Sequence, residues 1–312
     1  MTGPVLVTGA AGFAGGHLVD FLARDRHDVV GWHRPGGTPP PDIPCTRWQA
    51  VDVLDRAAVR RALAEISPSF VYHCAGAAHV GRSWESVEPT FAVNVRGTHH
   101  VIEGLRDAGI AATMLIPSSA MVYGASNQPL AEDDALAPAS PYALSKLAQE
   151  MLAGGNQDRP PIVVARAFNH VGPRQNPFFA ASGFARRIAD IEAGRWAPEL
   201  SVGNLDARRD LTDVRDTVRA YRLIAERGAR GRVYNVCSGR ALAVRELVDM
   251  MLRRARVAIT IKVDPARLRP SDVPLVVGDP RRVRDELGWQ PEIPIEQTID
   301  DLLEYWRTRP GR

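Results

Sequence analysis

Residues 5–22, VLVTGAAGFAGGHLVDFL, decide the fold. Val5 to Thr8 is a short apolar, β-branched run, and a helical apolar pattern follows from Phe13 to Leu22. Between them stand Gly9, Gly12 and Gly15, each three residues from the next. In a strand–turn–helix unit Gly9 allows the tight turn and Gly12 lets the backbone approach a pyrophosphate. Gly15 lets the helix pack close to the sheet. The first N–H groups of the helix, from Phe13 onward, have no acceptor within it and are free for a phosphate. An ordinary glycine turn is the plainer reading. The flanking strand and helix favour a dinucleotide loop.

Outward from this unit, strands and helices alternate. Strands are predicted at 29–32, 70–74, 112–117 and 162–165, and helices at 55–65, 87–107 and 142–151. This alternation predicts an α/β fold, a doubly wound parallel sheet of Rossmann type, over residues 1–166. Beyond Asn169 the texture changes to Gly/Pro-rich and charged segments, among them a charged cluster at 208–216. Helices are predicted at 184–193, 218–226, 244–252 and 294–307, with a strand at 233–236. Residues 167–312 therefore read as a smaller, interleaved C-terminal substrate lobe, with some segments returning to the Rossmann domain.

Composition fits this reading. The chain has 312 residues, 45% apolar and 24% charged, which excludes a disordered tail, a collagen-like fibre and a small disulfide scaffold. Its 39 basic and 36 acidic residues leave a charge of +3, too balanced to point to nucleic acid or a membrane surface. Cys45, Cys74 and Cys237 are distant and odd in number, so neither a disulfide framework nor a metal pair is expected. Such cysteines suit a reducing compartment. The N-terminus lacks a signal-peptide pattern, and no apolar stretch is long enough to span a bilayer. A cytoplasmic location follows as the expectation. Lys146 and Lys262 are the only lysines, the other basic residues being arginine.

The second strand ends Val30-Gly31-Trp32-His33-Arg34. No acid stands there to hold a ribose hydroxyl, and Arg34 suits a 2′-phosphate. NADP is therefore expected rather than NAD, unless Arg34 is a plain surface residue. Asp52 and Val53 are candidates to lie beside the adenine, though Asp52 also reads as a loop cap. Tyr142 and Lys146, four apart in SPYALSKLAQE, share one helical face. A nearby ammonium favours the phenolate and lowers a tyrosine pKa, and the lysine is also placed to hold the nicotinamide ribose. Such a tyrosine gives a proton to a carbonyl while NADPH gives hydride. Ser118 and Ser119 end the fourth predicted strand, at the sheet edge where such folds bind ligands. A serine hydroxyl there polarises the same carbonyl.

With TGAAGFAG, HCAGAAHVG, the N-V-R-G-T of 94–98, SSAMVYG, PYALSKLAQE and ARAFNHVGP on the page, the chain resembles the extended short-chain dehydrogenase/reductases that modify nucleotide sugars. The resemblance runs almost the whole length. It implies that Ser119 is the family serine, Tyr142 the acid and Lys146 its partner. It also implies that Asn94 lies near the cofactor, that Ala75, Gly76 and Ala77 line the dinucleotide, and that Phe13 follows the phosphate loop. Members of the family pair as homodimers, here through helices near 87–107 and 142–153. NHVGPRQNPFFAASGFARRIADIEAG, VGNLDARRDLTDVRDTVRAY and RLRPSDVPLVVGD resemble the GDP-6-deoxy-4-keto-mannose reductases and the related GDP-mannose 4,6-dehydratases. That pattern assigns Asn169, Phe184 and Arg187 to the nucleotide sugar, and Arg209 and Arg269 to its pyrophosphate. Arginine's fork suits a diphosphate, while Arg209 beside Asp210 and Asp213 also reads as a local ion-pair cluster. Dehydratases of the group carry an acid two residues before Tyr123, where this chain has Met121. A thioether carries no proton. The expectation is therefore NADPH-dependent reduction of the C4 ketone of GDP-4-keto-6-deoxy-mannose, to the rhamnose or talose epimer. The alternatives are an NAD-dependent nucleotide-sugar 4-epimerase and a dinucleotide-binding scaffold without turnover.

Overall fold

The computed structural model describes residues 3–154, 160–267 and 273–309. Its strands, in chain order, are β1 (Val5–Thr8), β2 (Val29–His33), β3 (Arg47–Ala50), β4 (Phe70–His73), β5 (Thr113–Ser119), β6 (Ile162–Ala167), β7 (Asn169–Val171), β8 (Glu199–Val202), β9 (Arg208–Asp213), β10 (Val233–Val236), β11 (Ala241–Ala243), β12 (Thr260–Val263) and β13 (Leu275–Val276). The helices are α1 (Phe13–Arg24), α2 (Arg56–Ile66), α3 (Val80–Ser83), α4 (Val87–Phe91), α5 (Thr98–Asp107), α6 (Pro141–Ala153), α7 (Ala180–Glu192), α8 (Val214–Arg227), α9 (Val244–Leu252), α10 (Arg281–Leu287) and α11 (Ile295–Arg307).

Seven strands form one sheet in the order β3-β2-β1-β4-β5-β6-β10, parallel at every pairing. The order reverses between β1 and β4, which opens a crevice beyond their carboxyl ends. A sheet covered on both faces needs continuous apolar strands rather than alternating ones. Val5, Leu6, Val7, Leu115 and Val163 are accordingly buried. One face packs on α1 and α8 through Leu18, Leu22, Val218 and Ile224. The other packs on α2 and α5 through Val59, Leu63, Ile102 and Leu105. Gly9 sits at φ +65, and a Cβ on it would press into the backbone of Ala75, so only glycine fits that turn.

A second sheet runs β11-β9-β13, with β7 also paired to β9. Its neighbouring core gathers Phe184 and Ile188 of α7, Leu247 and Met251 of α9, and Leu302 and Leu303 of α11.

Three local expectations are corrected. The helix anticipated over 87–107 is interrupted by a π-helical turn, Ala92–Gly97. There Asn94 is drawn out of the regular ladder toward Ala77 and Ser145. The charged cluster at 208–216 is strand β9 running into α8, with Asp213 capping the helix at the N–H of Arg215, 2.7 Å away. Strand β3, sequence RWQA, was not anticipated. It is a polar edge strand, so it has neither an apolar run nor a clean alternation to betray it.

Candidate active site

The carboxyl ends of β1, β4 and β5 meet the start of α6 at one place, and most of the anticipated site residues gather there. Ser140 caps α6 by accepting from the N–H of Ala143 at 3.1 Å, and Pro141 opens the first turn. That cap presents Tyr142 one turn before Lys146. Both side chains are buried. The hydroxyl of Ser119 accepts from the N–H of Met121 at 3.2 Å and stands close enough to the Tyr142 phenol to favour its ionised form. Lys146 Nζ donates to the carbonyl of Pro117 at 2.9 Å and lies 5.9 Å from the centre of the Tyr142 ring.

One electrostatic expectation is reversed. Burial pushes the Tyr142 phenol up, opposed by the Ser119 hydroxyl, and the lysine does not pull it down. Lys146 is itself pushed down to about 8 by burial, opposed by Cys74 and Glu150. The pair as it stands is a protonated phenol beside a destabilised ammonium. A phenol kept protonated is the form needed to give a proton away.

The dinucleotide residues form the adjoining wall. Gly12 ends the loop at the start of α1 and no side chain caps that helix, so its leading N–H groups remain open to an anion. Phe13 stacks on His170 with ring centres 5.7 Å apart. Gly15 lies flush against Gly9 and Ala10, where a Cβ would collide with their backbone. Ala75 donates its N–H to Thr8 Oγ1 at 3.1 Å. Ala77 exchanges two bonds with Asn94, N–H to Oδ1 at 2.8 Å and Nδ2 to O at 3.1 Å. Gly76 is pressed so close that a Cβ would lie 2.9 Å from Asn94 Oδ1. Arg34 is exposed just past β2 and makes no ion pair among the described residues. Asp52 follows β3 and caps the N–H of Leu54 at 2.9 Å. Val53 is buried and fills the space facing Gly97. A cradle of glycines, an uncapped helix start and an unpaired arginine at the ribose end fit a phosphorylated dinucleotide.

The substrate candidates divide. Asn169 is exposed at the start of β7 and pairs in register with Leu211, two residues after Arg209. Adjacent strands thus bring Asn169 and Arg209 together. Arg209 Nη1 donates to the carbonyl of Arg208 at 2.9 Å, and the carboxylate of Asp210 turns inward to the N–H groups of Ser238, Gly239 and Gly278. The guanidinium of Arg187 lies 3.8 Å over the ring of Trp196, an aromatic partner not singled out in the sequence. Phe184 is buried in the core that α7 shares with α9 and α11. Arg269 lies outside the described residues, as does Asp272.

Sequence reasoning missed the polar side chains that hold this site in place. Ser83 accepts from the N–H of Tyr142 at 3.2 Å. Ser145 accepts from Asn94 Nδ2 at 2.9 Å and donates to the Tyr142 carbonyl at 2.7 Å. His73 bonds Thr8 Oγ1 and Thr98 Oγ1 at 2.9 and 3.0 Å. Burial and then Lys146 hold it neutral, at a pKa of about 3. Ser145, Gln149 and Glu150 recur on the same face of α6 as Tyr142. Polar residues at helical spacing on a face that must be buried were the signal available.

Comparison with known proteins agrees with this geometry. A family model described as GDP-mannose 4,6 dehydratase matches residues 6–302. A GDP-6-deoxy-D-mannose reductase of Pseudomonas aeruginosa is 36% identical, over 99% of each chain. The solved structure of RMD from Pseudomonas aeruginosa complexed with NADPH has a TM-score of 0.85 at 33% identity, covering 99% of this chain and 100% of that one. A Thermus thermophilus UDP-glucose 4-epimerase complexed with NAD has a TM-score of 0.86 at 27% identity, covering 98% and 99%. The chain belongs to the GDP-mannose 4,6-dehydratase family of extended short-chain dehydrogenase/reductases.

Proposed function

We propose that this protein reduces the C4 ketone of GDP-4-keto-6-deoxy-mannose with NADPH, giving a GDP-6-deoxy-hexose. The observation that carries the reading is the gathering of Ser119, Tyr142 and Lys146 at the end of β5 and the start of α6, with Met121 standing where dehydratases of the group carry an acid. Support comes also from the full-length similarity to a GDP-6-deoxy-D-mannose reductase and from a solved neighbour that holds NADPH.

Gly9, Gly12, Gly15 and the start of α1 hold the pyrophosphate of the cofactor, Ala75 to Ala77 and Asn94 its middle, and Arg34 its 2′-phosphate. When bound, NADPH supplies the hydride that C4 receives. Tyr142 gives its proton to the C4 oxygen, and Ser119 donates a hydrogen bond to the same oxygen. Lys146 holds the cofactor's ribose, and solvent returns a proton to Tyr142 after the transfer. Asn169, Arg187, Arg209 and Arg269 hold the sugar nucleotide. Dehydration at C5 and C6 lacks its acid, because Met121 carries no proton. The protein acts in the cytoplasm as a homodimer. The exposed Leu144 and Met151 of α6 and Val87 of α4 support a pairing face there.

The test is NADPH oxidation with the 4-keto-6-deoxy sugar linked in turn to GDP, dTDP, UDP and CDP, with the product read by NMR. Oxidation with the GDP sugar is expected; oxidation confined to dTDP or UDP sugars overturns the base assignment. A 4-epimerase uses the same serine, tyrosine and lysine, and the likeness to epimerases supports it as the second reading. Tightly retained NAD after purification would favour that reading; exchangeable NADPH favours reduction.

A further inference from the structure

We propose that Glu150 and Arg166, joined through Ser118, are positioning residues for the reduction: their ion pair fixes the depth and rotation of α6 against β5 and β6, and so places Tyr142 against Ser119. The inference rests on the reductase reading only for its kinetic test.

Glu150 lies one turn beyond Lys146 and two turns beyond Tyr142. Ser118 and Arg166 are register partners on β5 and β6. Partners in register project to the same side of a sheet, and here Glu150 of α6 meets both. Ser118 Oγ donates to Glu150 Oε1. Arg166 Nε reaches the same oxygen at 2.9 Å, and Nη2 reaches Oε2 at 2.7 Å. The remaining guanidinium nitrogen, Nη1, donates to Tyr123 Oη and to the carbonyl of Glu132, each at 2.9 Å. Tyr123 follows Ser119 by four residues, at the far side of the short turn that Ser119 caps. The guanidinium therefore ties together the helix that carries Tyr142, the strand end that carries Ser119, and the turn between Ser119 and Tyr123.

Both partners are nearly excluded from solvent, at 5% and 7% side-chain exposure. A buried pair of this kind is a poor source of stability compared with apolar packing of equal volume. What a forked, two-point contact supplies is orientation. An apolar pair would let α6 slide or roll by a fraction of an ångström. Such a shift separates Tyr142 from Ser119, and misplacement on that scale is costly to catalysis. The charged or titratable groups around Lys146 are Tyr142 and Glu150 on its own helix, His73 at the end of β4 and Cys74 just after it. Glu150 thus also lies in the electrostatic surroundings of the proton-handling pair.

The test uses the full chain with Glu150→Gln, Ser118→Ala and Arg166→Lys. Glu150→Gln keeps the shape and one acceptor but loses the charge, while Ser118→Ala removes a single hydroxyl. Ser118→Ala should melt near the wild type, while Glu150→Gln, which leaves the buried Arg166 charge uncompensated, should melt cooperatively at a lower temperature. The expected result is a fall of about 10- to 100-fold in kcat for Glu150→Gln, with NADPH Kd and sugar KM within about threefold. Ser118→Ala should lose roughly tenfold or less. Arg166→Lys, which cannot make both contacts, should lose at least as much as Glu150→Gln. A second readout needs no turnover: the ring-carbon NMR resonance of Tyr142, assigned with Tyr142→Phe, should move in Glu150→Gln and Ser118→Ala. If the resonance moves while no sugar nucleotide is reduced by the wild type, the reductase reading fails and the positioning role stands. If kcat stays within twofold and the resonance stays put in folded variants, the positioning role is wrong. A fall in melting temperature matched by equal losses in Kd, KM and kcat also overturns it. Should Arg166→Lys fail to fold, the other two variants decide.

Discussion

Burial keeps the Tyr142 hydroxyl protonated, the form that the proposed proton donor needs. Tyr142→Phe leaves the packing and removes the proton. Turnover should fall by roughly 10²- to 10⁴-fold, with NADPH affinity within about twofold by fluorescence titration. Lys146 makes a different prediction. Its pKa in the folded protein is about 8, below the ordinary 10.5 expected of the unfolded chain. Between those values the unfolded chain binds more protons, so the residue's penalty on stability is full below about pH 8 and disappears as pH rises toward 10.5. Without cofactor, Lys146→Met should therefore be more stable than wild type near neutrality, by on the order of 1–3 kcal/mol. That margin should close by pH 10.5, as read from urea midpoints across the range. Arg34 is the residue to test for cofactor choice. Arg34→Ala should raise the KM for NADPH about tenfold or more and leave that for NADH nearly unchanged, the loss expected of one or two hydrogen bonds to a charged phosphate.

Among the elements, the π turn at Ala92–Gly97 is the least regular and one of the best tied. Asn94 spends its side chain on Ala77 and Ser145. Removing it strands a backbone N–H and C=O that had partners. Asn94→Ala should cost about 2–3 kcal/mol and weaken NADPH binding, since the 75–77 loop loses its anchor; thermal melting and cofactor titration check both. The helices with clear caps were legible in the sequence. The Ser140–Pro141 start of α6 and the Asp55 cap of α2 are local signals that need no tertiary partner. The π turn was not legible, because an amphipathic stretch at 87–107 reads the same whether or not its ladder slips. Strands β8, β9, β11 and β12 escaped for a related reason: they are short, and each owes its existence to a neighbour distant in sequence. At the site, glycines, tyrosine and lysine declare their chemistry by spacing. Ser83, Arg166 and Glu150 do not, because what they do depends on which other side chains arrive beside them.

For the molecule as a whole, the seven-stranded sheet leads into β7, which pairs with β9 so that Asn169 stands opposite Leu211, two residues beyond Arg209. The face formed by α4 and α6 is where a second copy is expected. Leu144 and Met151 are 48% and 73% exposed on α6, a poor arrangement for a surface that stays in water. Replacing both with lysine should convert the dimer to a monomer in light scattering, with little change in far-UV circular dichroism; a wild-type monomer at micromolar concentration would refute the pairing. The edge strand β10, at Val233–Val236, pairs with β6 in the register Val233↔Val164, so the sheet closes with a strand made some seventy residues after its neighbour. During synthesis the edge of β6 emerges from the ribosome long before its cover does, and it waits bare. Nor do the two halves of the gene form interchangeable cassettes. A single cut near residue 166 would leave the first half with a raw edge, and a graft that exchanges sugar-binding regions between relatives must carry residues 214–236 along with the recipient's first half.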